Sequence, residues 1–307
     1  MLQDMLILLA GLACAAAGGH FFLHGAVGLA RAWRLSAAMI GATVAAFSTS
    51  SPELAVAIGS ALAGTPEISL GDALGSNVVN VALILGGALL FGAIRCATES
   101  VQRDLGAAVA APVLLALLAL DGTISRLDGL VLLGAFSLWL ALMVQTVRRQ
   151  RAQMPAEPHA QPWDAAGRVT LGLVLLVSSS WLIVGGAQGI ARSLGWSSFL
   201  VGALIVALGT STPEIVTTLF ARWHGHDDIG LGTILGSNVF NLLFIVAVAA
   251  LIRPVRVVGQ GPWQTLAAGL LVVLLVLPGS SGVLARWRGL PLLACYGVYL
   301  LVTTTWR

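Results

Sequence analysis

Between Gly41 and Gly86 the chain reads GATVAAFSTSSPELAVAIGSALAGTPEISLGDALGSNVVNVALILG. The stretch is apolar enough to lie in a membrane, yet Thr49, Ser50, Pro52 and Glu53 interrupt it, followed by Gly75, Ser76, Asn77 and Asn80. A carboxylate beside a proline in an apolar span is costly and marks function. Residues 202–242 repeat the pattern without a gap, and 17 of the 41 aligned positions are identical. An offset of 161 residues carries Thr49 onto Thr210, Ser50 onto Ser211, Pro52 onto Pro213 and Glu53 onto Glu214. The same offset carries Ser76 onto Ser237, Asn77 onto Asn238 and Asn80 onto Asn241. A duplication that preserves polar residues inside apolar spans limits the chain to a fold in which the two copies serve one purpose.

The solvent for that fold is lipid. Hydrophobic residues make up 58% of the chain and charged residues 9%, against roughly 25% charged in a soluble domain. All 16 basic residues are arginine, with no basic groove and interleaved aromatics of the kind that binds nucleic acid. Cys14, Cys96 and Cys295 are far apart and form neither a disulfide framework nor a metal motif. Asp4 and the lack of an early arginine argue against a signal peptide, so the first span is expected to be retained.

Runs of about 20 apolar residues cross a bilayer as helices. Ten are expected, at residues 5–29, 36–62, 68–92, 104–120, 128–147, 168–190, 198–221, 229–252, 264–281 and 289–304. The fold class is therefore an all-α integral membrane protein of two five-helix repeats, residues 1–147 and 168–307, joined by a linker at 148–167. Gly25–Arg31 also matches Gly186–Arg192 at the same offset. Five is odd, so the second copy enters the membrane from the opposite side, an inverted repeat of the kind common in secondary transporters. Arginines concentrate at Arg31, Arg34, Arg95, Arg103, Arg148, Arg149, Arg151 and Arg168, which sets the linker in the cytoplasm and both termini outside.

Glu53 and Glu214 are the only acidic residues placed mid-span; Glu67 and Asp72 fall at or just inside the start of a span. Pro52 and Pro213 cannot donate hydrogen bonds, which frees the carbonyls of Ser48 and Gly209, breaks each helix beside its glutamate and is expected to turn carbonyls towards the site. Unwound backbone at membrane depth is tolerated where it lines a polar cavity. Thr49 shares a helix face with Glu53, and Ser76 with Asn80, while Gly71 and Gly75 allow close packing or unwinding. Carboxylates, asparagine carbonyls, hydroxyls and backbone carbonyls make an all-oxygen donor set suited to hard cations such as Ca²⁺ and Na⁺.

GATVAAFSTSSPE with GDALGSNVVN, and VALGTSTPE with GTILGSNVFN, resemble the α-1 and α-2 repeats of the cation/Ca²⁺ exchanger superfamily, most closely the prokaryotic sodium/calcium exchanger branch. The resemblance implies a secondary antiporter rather than an enzyme, moving Ca²⁺ against Na⁺ by alternating access at a midplane site. It implies as ion ligands Thr49, Ser50, Glu53, Ser76 and Asn80, mirrored by Thr210, Ser211, Glu214, Ser237 and Asn241, with the carbonyls near Ala46 and Ala207. No cofactor, nucleic acid or obligatory protein partner is expected, and the location implied is the plasma (inner) membrane. This chain departs from the family in carrying Asn at both 80 and 241, Ser48 for a usual Gly, and Asp72, near the outer mouth, where Asn is common.

Two alternatives are weighed beside it. A Ca²⁺/H⁺ or other cation/proton antiporter can use the same scaffold, with the glutamates carrying protons. An intramembrane hydrolase would need Ser76 or Ser237 activated by His20 or His24, but the serines are duplicated and the histidines are not. The segment Trp223–Asp228, WHGHDD, is read as a solvated turn before a regulatory metal loop.

Overall fold

The computed structural model describes residues 1–32, 49–95, 99–150, 162–223, 227–278 and 282–305. Helix α1 is Leu2–Ala32 and α2 is Ser51–Leu62. Helix α3 runs from Pro66 through a π-helical segment, Val79–Leu85, to Leu90. Then come β1 (Ile94–Arg95), α4 (Glu99–Leu118), β2 (Thr123–Ile124) and α5 (Arg126–Gln150). The second half holds α6 (Pro162–Leu194), α7 (Ser198–Thr210) and α8 (Thr212–Trp223). Helix α9 begins as Asp227–Phe240, passes a π-helical turn at Asn241–Ile245 and ends as Val246–Ile252. Strand β3 (Val255–Arg256), α10 (Gly261–Leu275), β4 (Val283–Leu284) and α11 (Gly289–Thr305) complete it.

Local chemistry sets several of these boundaries. Pro66 and Pro262 sit in the first turns of α3 and α10, where a missing N–H has no helical partner to lose. Ser125 and Asp128 cap α5 reciprocally: the Ser125 amide donates to Asp128 Oδ2 at 2.7 Å, and the Asp128 amide to Ser125 Oγ at 3.3 Å. Ser197 accepts the Leu200 amide at the start of α7.

Among the described residues five helices are long and apolar enough to cross a membrane, or six if α7 and α8 count as one bent span. Burial ranks them. The spans in α3 and α9 are each 83% buried, whereas those in α1 and α5 are 28% buried. Helices α3 and α9 therefore form the centre, and the outer helices turn leucines and valines such as Leu130, Leu138, Leu171 and Val174 outwards. An apolar outside around a polar-bearing centre is the reverse of a water-soluble fold.

The two halves interlock instead of sitting side by side. Helix α1 lies along α6, α3 packs on α7, α10 and α11, and α9 packs on α4 and α5. Glycines make the closest of these approaches. Along α1 they recur every seven residues: a side chain on Gly11 would strike Ile183, one on Gly18 Leu175, and one on Gly25 Val169. The equivalent residues of α6 do the same in return, Gly172 against Phe22 and Gly186 against Leu8. Without a hydrophobic drive between helices in lipid, such close backbone contact supplies the packing energy. Two short antiparallel pairs tie loops across the halves, β1 with β4 and β2 with β3.

Candidate functional site

The site begins where helices break. At Ser211 the axis bends by 43° between α7 and α8, with φ −74° and ψ 6°. Ser50, its equivalent before α2, has φ −88° and ψ 12°. Pro52 and Pro213 follow two residues later, and a proline ring excludes a regular preceding turn. The expected orientation of the freed carbonyls fails at Gly209: its oxygen accepts from the Thr212 hydroxyl at 2.7 Å, so a local side chain satisfies it. The carbonyls near the site lie one turn earlier. Thr210 Oγ1 is 3.2 Å from Val206 O and 3.4 Å from Ala207 O, and Ser76 Oγ is 3.5 Å from Ala207 O. Ala46, Ala207's equivalent, and Ser48 lie outside the described residues.

Around Glu214 the hydroxyls of both halves meet. Ser237 donates to Glu214 Oε1 at 3.0 Å, and Ser50 donates to Ser237 Oγ at 3.1 Å and lies 3.5 Å from the same Glu214 oxygen. Thr49 Oγ1 lies 3.5 Å from Ser237 Oγ. The expected residues Thr49, Ser50, Ser237 and Glu214 thus converge. On the opposite side Ser76, Thr210 and Glu53 gather, but with a difference. Both hydroxyls turn to Asp72: Thr210 Oγ1 lies 2.9 Å and Ser76 Oγ 3.4 Å from its Oδ1. Ser211, the counterpart of Ser50, keeps an unpartnered buried hydroxyl.

A knot of four asparagines joins α3 to α9. The Asn77 amide donates to the Asn238 carbonyl at 3.1 Å, and the Asn238 amide to the Asn77 carbonyl at 3.3 Å. Asn80 donates to Asn238 Oδ1 at 3.0 Å, and Asn241 to Asn77 Oδ1 at 3.1 Å. Every bond has its counterpart at the 161-residue offset. The knot sits where both central helices turn π-helical, and a π turn inserts a residue that re-aims the side chains beside it. Once the Nδ2 groups of Asn80 and Asn241 are spent on the opposite half, their Oδ1 atoms are fixed as free acceptors.

Those acceptors belong to a larger set. Glu53 Oε2, Glu214 Oε2, Asp72 Oδ2, Asn80 Oδ1 and Asn241 Oδ1 are all buried without a hydrogen-bond partner among the described residues. Glu53, Asp72 and Glu214 are each 1% exposed. Leaving such an oxygen unpaired costs about 1–3 kcal/mol, more when charged. Cations that accept them as ligands remove that cost. Among the described residues no three acidic, histidine or cysteine side chains converge on one point, so the charge is spread over separate positions bridged by hydroxyls.

Asp104 supplies a contrast. It is also buried, but Arg103 reaches both its oxygens and Trp139 Nε1 donates to it at 3.1 Å, so it is a closed anchor between α4 and α5. His20 and His24 are exposed on α1, and the serines that the hydrolase alternative would pair with them donate to carboxylate and carbonyl oxygens. Asp227 pairs with Arg222, while His224 and His226 lie outside the described residues.

Asp72, Asn77 and Asn238 are the site residues that sequence reasoning left out. Asp72, expected near a span mouth, is buried because α7 closes over it: glycines at 71, 75 and 202 let α3 and α7 approach until a Cβ on any of them would strike the other backbone. Gly71 and Gly75 therefore serve packing, within unbroken helix. The asparagines did carry a signal. A buried amide needs a partner, and two amides at duplicated positions can supply one another.

The sodium/calcium exchanger protein family profile matches the chain twice, at residues 4–145 and 165–305. CaxA of Alkalimonas amylolytica, named as an antiporter, is 34% identical over 291 residues, covering 90% of this chain and 91% of that one. The sodium/calcium exchanger MaX1 of Methanosarcina acetivorans is 24% identical over 97% of this chain and 98% of its own length. Among solved structures, the sodium-calcium exchanger NCX_Mj soaked with Na⁺ and Sr²⁺ superposes with a TM-score of 0.69 at 28% identity, covering 97% of each chain.

Proposed function

The chain belongs to the sodium/calcium exchanger family, and we propose that it exchanges Ca²⁺ for Na⁺ by alternating access at the central oxygen site between α3 and α9. The observation that carries this reading is the matched set of buried, unpartnered oxygens. Glu53 and Glu214 each keep one free carboxylate oxygen, and Asn80 and Asn241 each keep a free amide oxygen. Oxygen donors of mixed charge suit Ca²⁺ and Na⁺, whose ligand shells are adaptable. Thr49, Ser50, Ser76, Thr210, Ser211 and Ser237 would complete those shells through hydroxyl lone pairs, with the Ala207 carbonyl and, at the equivalent position, Ala46.

In this reading ten spans form two inverted five-helix halves, with the termini outside and the linker 148–167 cytoplasmic in the plasma membrane. The strand pairs fit the alternation of faces that two inverted halves require. Pairing β1 with β4 requires the loops after α3 and before α11 to share one face. Pairing β2 with β3 requires the loops after α4 and after α9 to share a face as well. One crossing, α4, separates β1 from β2, so the two faces are opposite.

The test is ⁴⁵Ca²⁺ uptake into proteoliposomes loaded with Na⁺, beside vesicles that carry only a pH gradient. Uptake driven by Na⁺ and reduced at least tenfold by Glu53→Gln or Glu214→Gln is expected. Uptake driven by the pH gradient alone would replace Na⁺ by H⁺, and full activity in either variant would move the site.

A further inference from the structure

The two halves of the site differ in charge. Glu214 receives Ser237 and Ser50, and by symmetry Glu53 should receive Ser76 and Ser211. Instead Ser76 turns to Asp72, Thr210 lies against Asp72 as well as Glu53, and the Ser211 hydroxyl is left unpartnered. The residue equivalent to Asp72 is Thr233, so the second half has no matching carboxylate. Asp72 is 1% exposed, and its Oδ2 has no hydrogen-bond partner. Among the described residues no arginine or histidine is paired with it, unlike Asp104, whose charge Arg103 answers.

We propose that Asp72 is itself a cation ligand, forming with Ser76, Thr210 and the Ala207 carbonyl a lobe that takes a monovalent cation, Na⁺ first among them. The proposal rests on the Na⁺/Ca²⁺ reading above and deepens it. A hydroxyl donates one proton and keeps two lone pairs, so Thr210 and Ser76 can hold Asp72 Oδ1 and still face a cation. Oδ2 is then the anionic ligand, with the Ala207 carbonyl, 3.4 Å from Thr210 Oγ1, as a neutral one. Two carboxylates balance one Ca²⁺. The third leaves a full negative charge in a low-dielectric centre, and a monovalent cation held at Asp72 cancels it. Asymmetry between the halves thereby gives the two kinds of ion different preferred places.

The experiment measures thermal stabilisation of the purified protein by NaCl and, separately, by CaCl₂, in wild type and in Asp72→Asn. Asparagine keeps an oxygen that can accept from Ser76 and Thr210 but removes the charge. The Na⁺ half-saturation should rise about tenfold or more, a full charge lost in a buried site. The rise for Ca²⁺ should be smaller. In proteoliposomes, the Na⁺ moved per Ca²⁺, read from the reversal potential, should fall. Equal shifts for both ions, or an unchanged Na⁺ response, would overturn the proposal. Asp72→Ser, read the same way, decides the matter if the Asn protein does not fold. A wild type stabilised by Ca²⁺ and indifferent to Na⁺ would overturn the Na⁺ reading itself, and this proposal with it.

Discussion

The asparagine knot makes a prediction about which residues share energy. Asn77 and Asn238 touch each other, yet neither bond between them joins side chain to side chain: each amide donates to the other residue's backbone carbonyl. Asn238→Ala removes its own bond to the Asn77 carbonyl and the bond from Asn80. Asn77→Ala removes its bond to the Asn238 carbonyl and the bond from Asn241. Interhelical hydrogen bonds in membranes average about 0.6 kcal/mol and reach about 1.7. Each variant also leaves one buried amide of Asn80 or Asn241 without an acceptor, at about 1–3 kcal/mol. Each should therefore lose roughly 2–6 kcal/mol, the two by nearly the same amount. No bond is removed twice in the double variant, so the losses should add to within about 0.5 kcal/mol. Asn80 and Asn238 do share a bond, and the Asn80→Ala, Asn238→Ala cycle should show a coupling of about 0.6 kcal/mol or more. The assay is reversible unfolding in bicelles, followed by tryptophan fluorescence. Strong coupling between 77 and 238 with none between 80 and 238 would refute the bonding pattern.

Four further outcomes follow. Gly25→Ala should destabilise by about 1–3 kcal/mol, because its Cβ would lie 2.6 Å from the Val169 amide. Gly106→Ala, with nothing within 4 Å, should be neutral or slightly stabilising in the same unfolding assay. Asn241→Asp should make Na⁺-driven Ca²⁺ uptake more steeply pH-dependent. The new carboxyl is neutral and Asn-like at low pH and adds negative charge as pH rises, so the profiles should converge in acid and part in alkali, and identical profiles between pH 5.5 and 8.5 would remove Asn241 from the ions. A cysteine at Gln153 should resist labelling by an impermeant reagent from outside intact cells, and efficient labelling would reverse the proposed orientation.

What could be read from the sequence was whatever the duplication repeats. Glu53 and Glu214, the breaks before Pro52 and Pro213, and the Ser-Asn pairs stand out because polar residues inside apolar spans are costly and here occur twice at one spacing. Asp72 has no counterpart, so that filter passed over it. Its burial depends on α7 closing against three glycines, a contact between residues far apart in sequence. Likewise, Pro213 does free the Gly209 carbonyl, but the Thr212 side chain that captures it has only a serine as counterpart, Ser51, and the turn geometry decides the outcome. The π-helical turns left no mark in the apolar pattern, since one extra residue per turn changes which face Asn80 and Asn241 occupy without changing composition.

The crossed asparagine bonds also bear on how such a chain is made. When α3 enters the membrane, Asn77 and Asn80 have no partner, because theirs stand 161 and 158 residues downstream on α9. The first half can persist in lipid only with those amides wet or satisfied by makeshift neighbours. Arrival of α9 exchanges these for the final bonds and fixes the free oxygens in place. Because its oxygens and the bonds that hold them come from both halves, the centre is complete only once α9 has packed on α3.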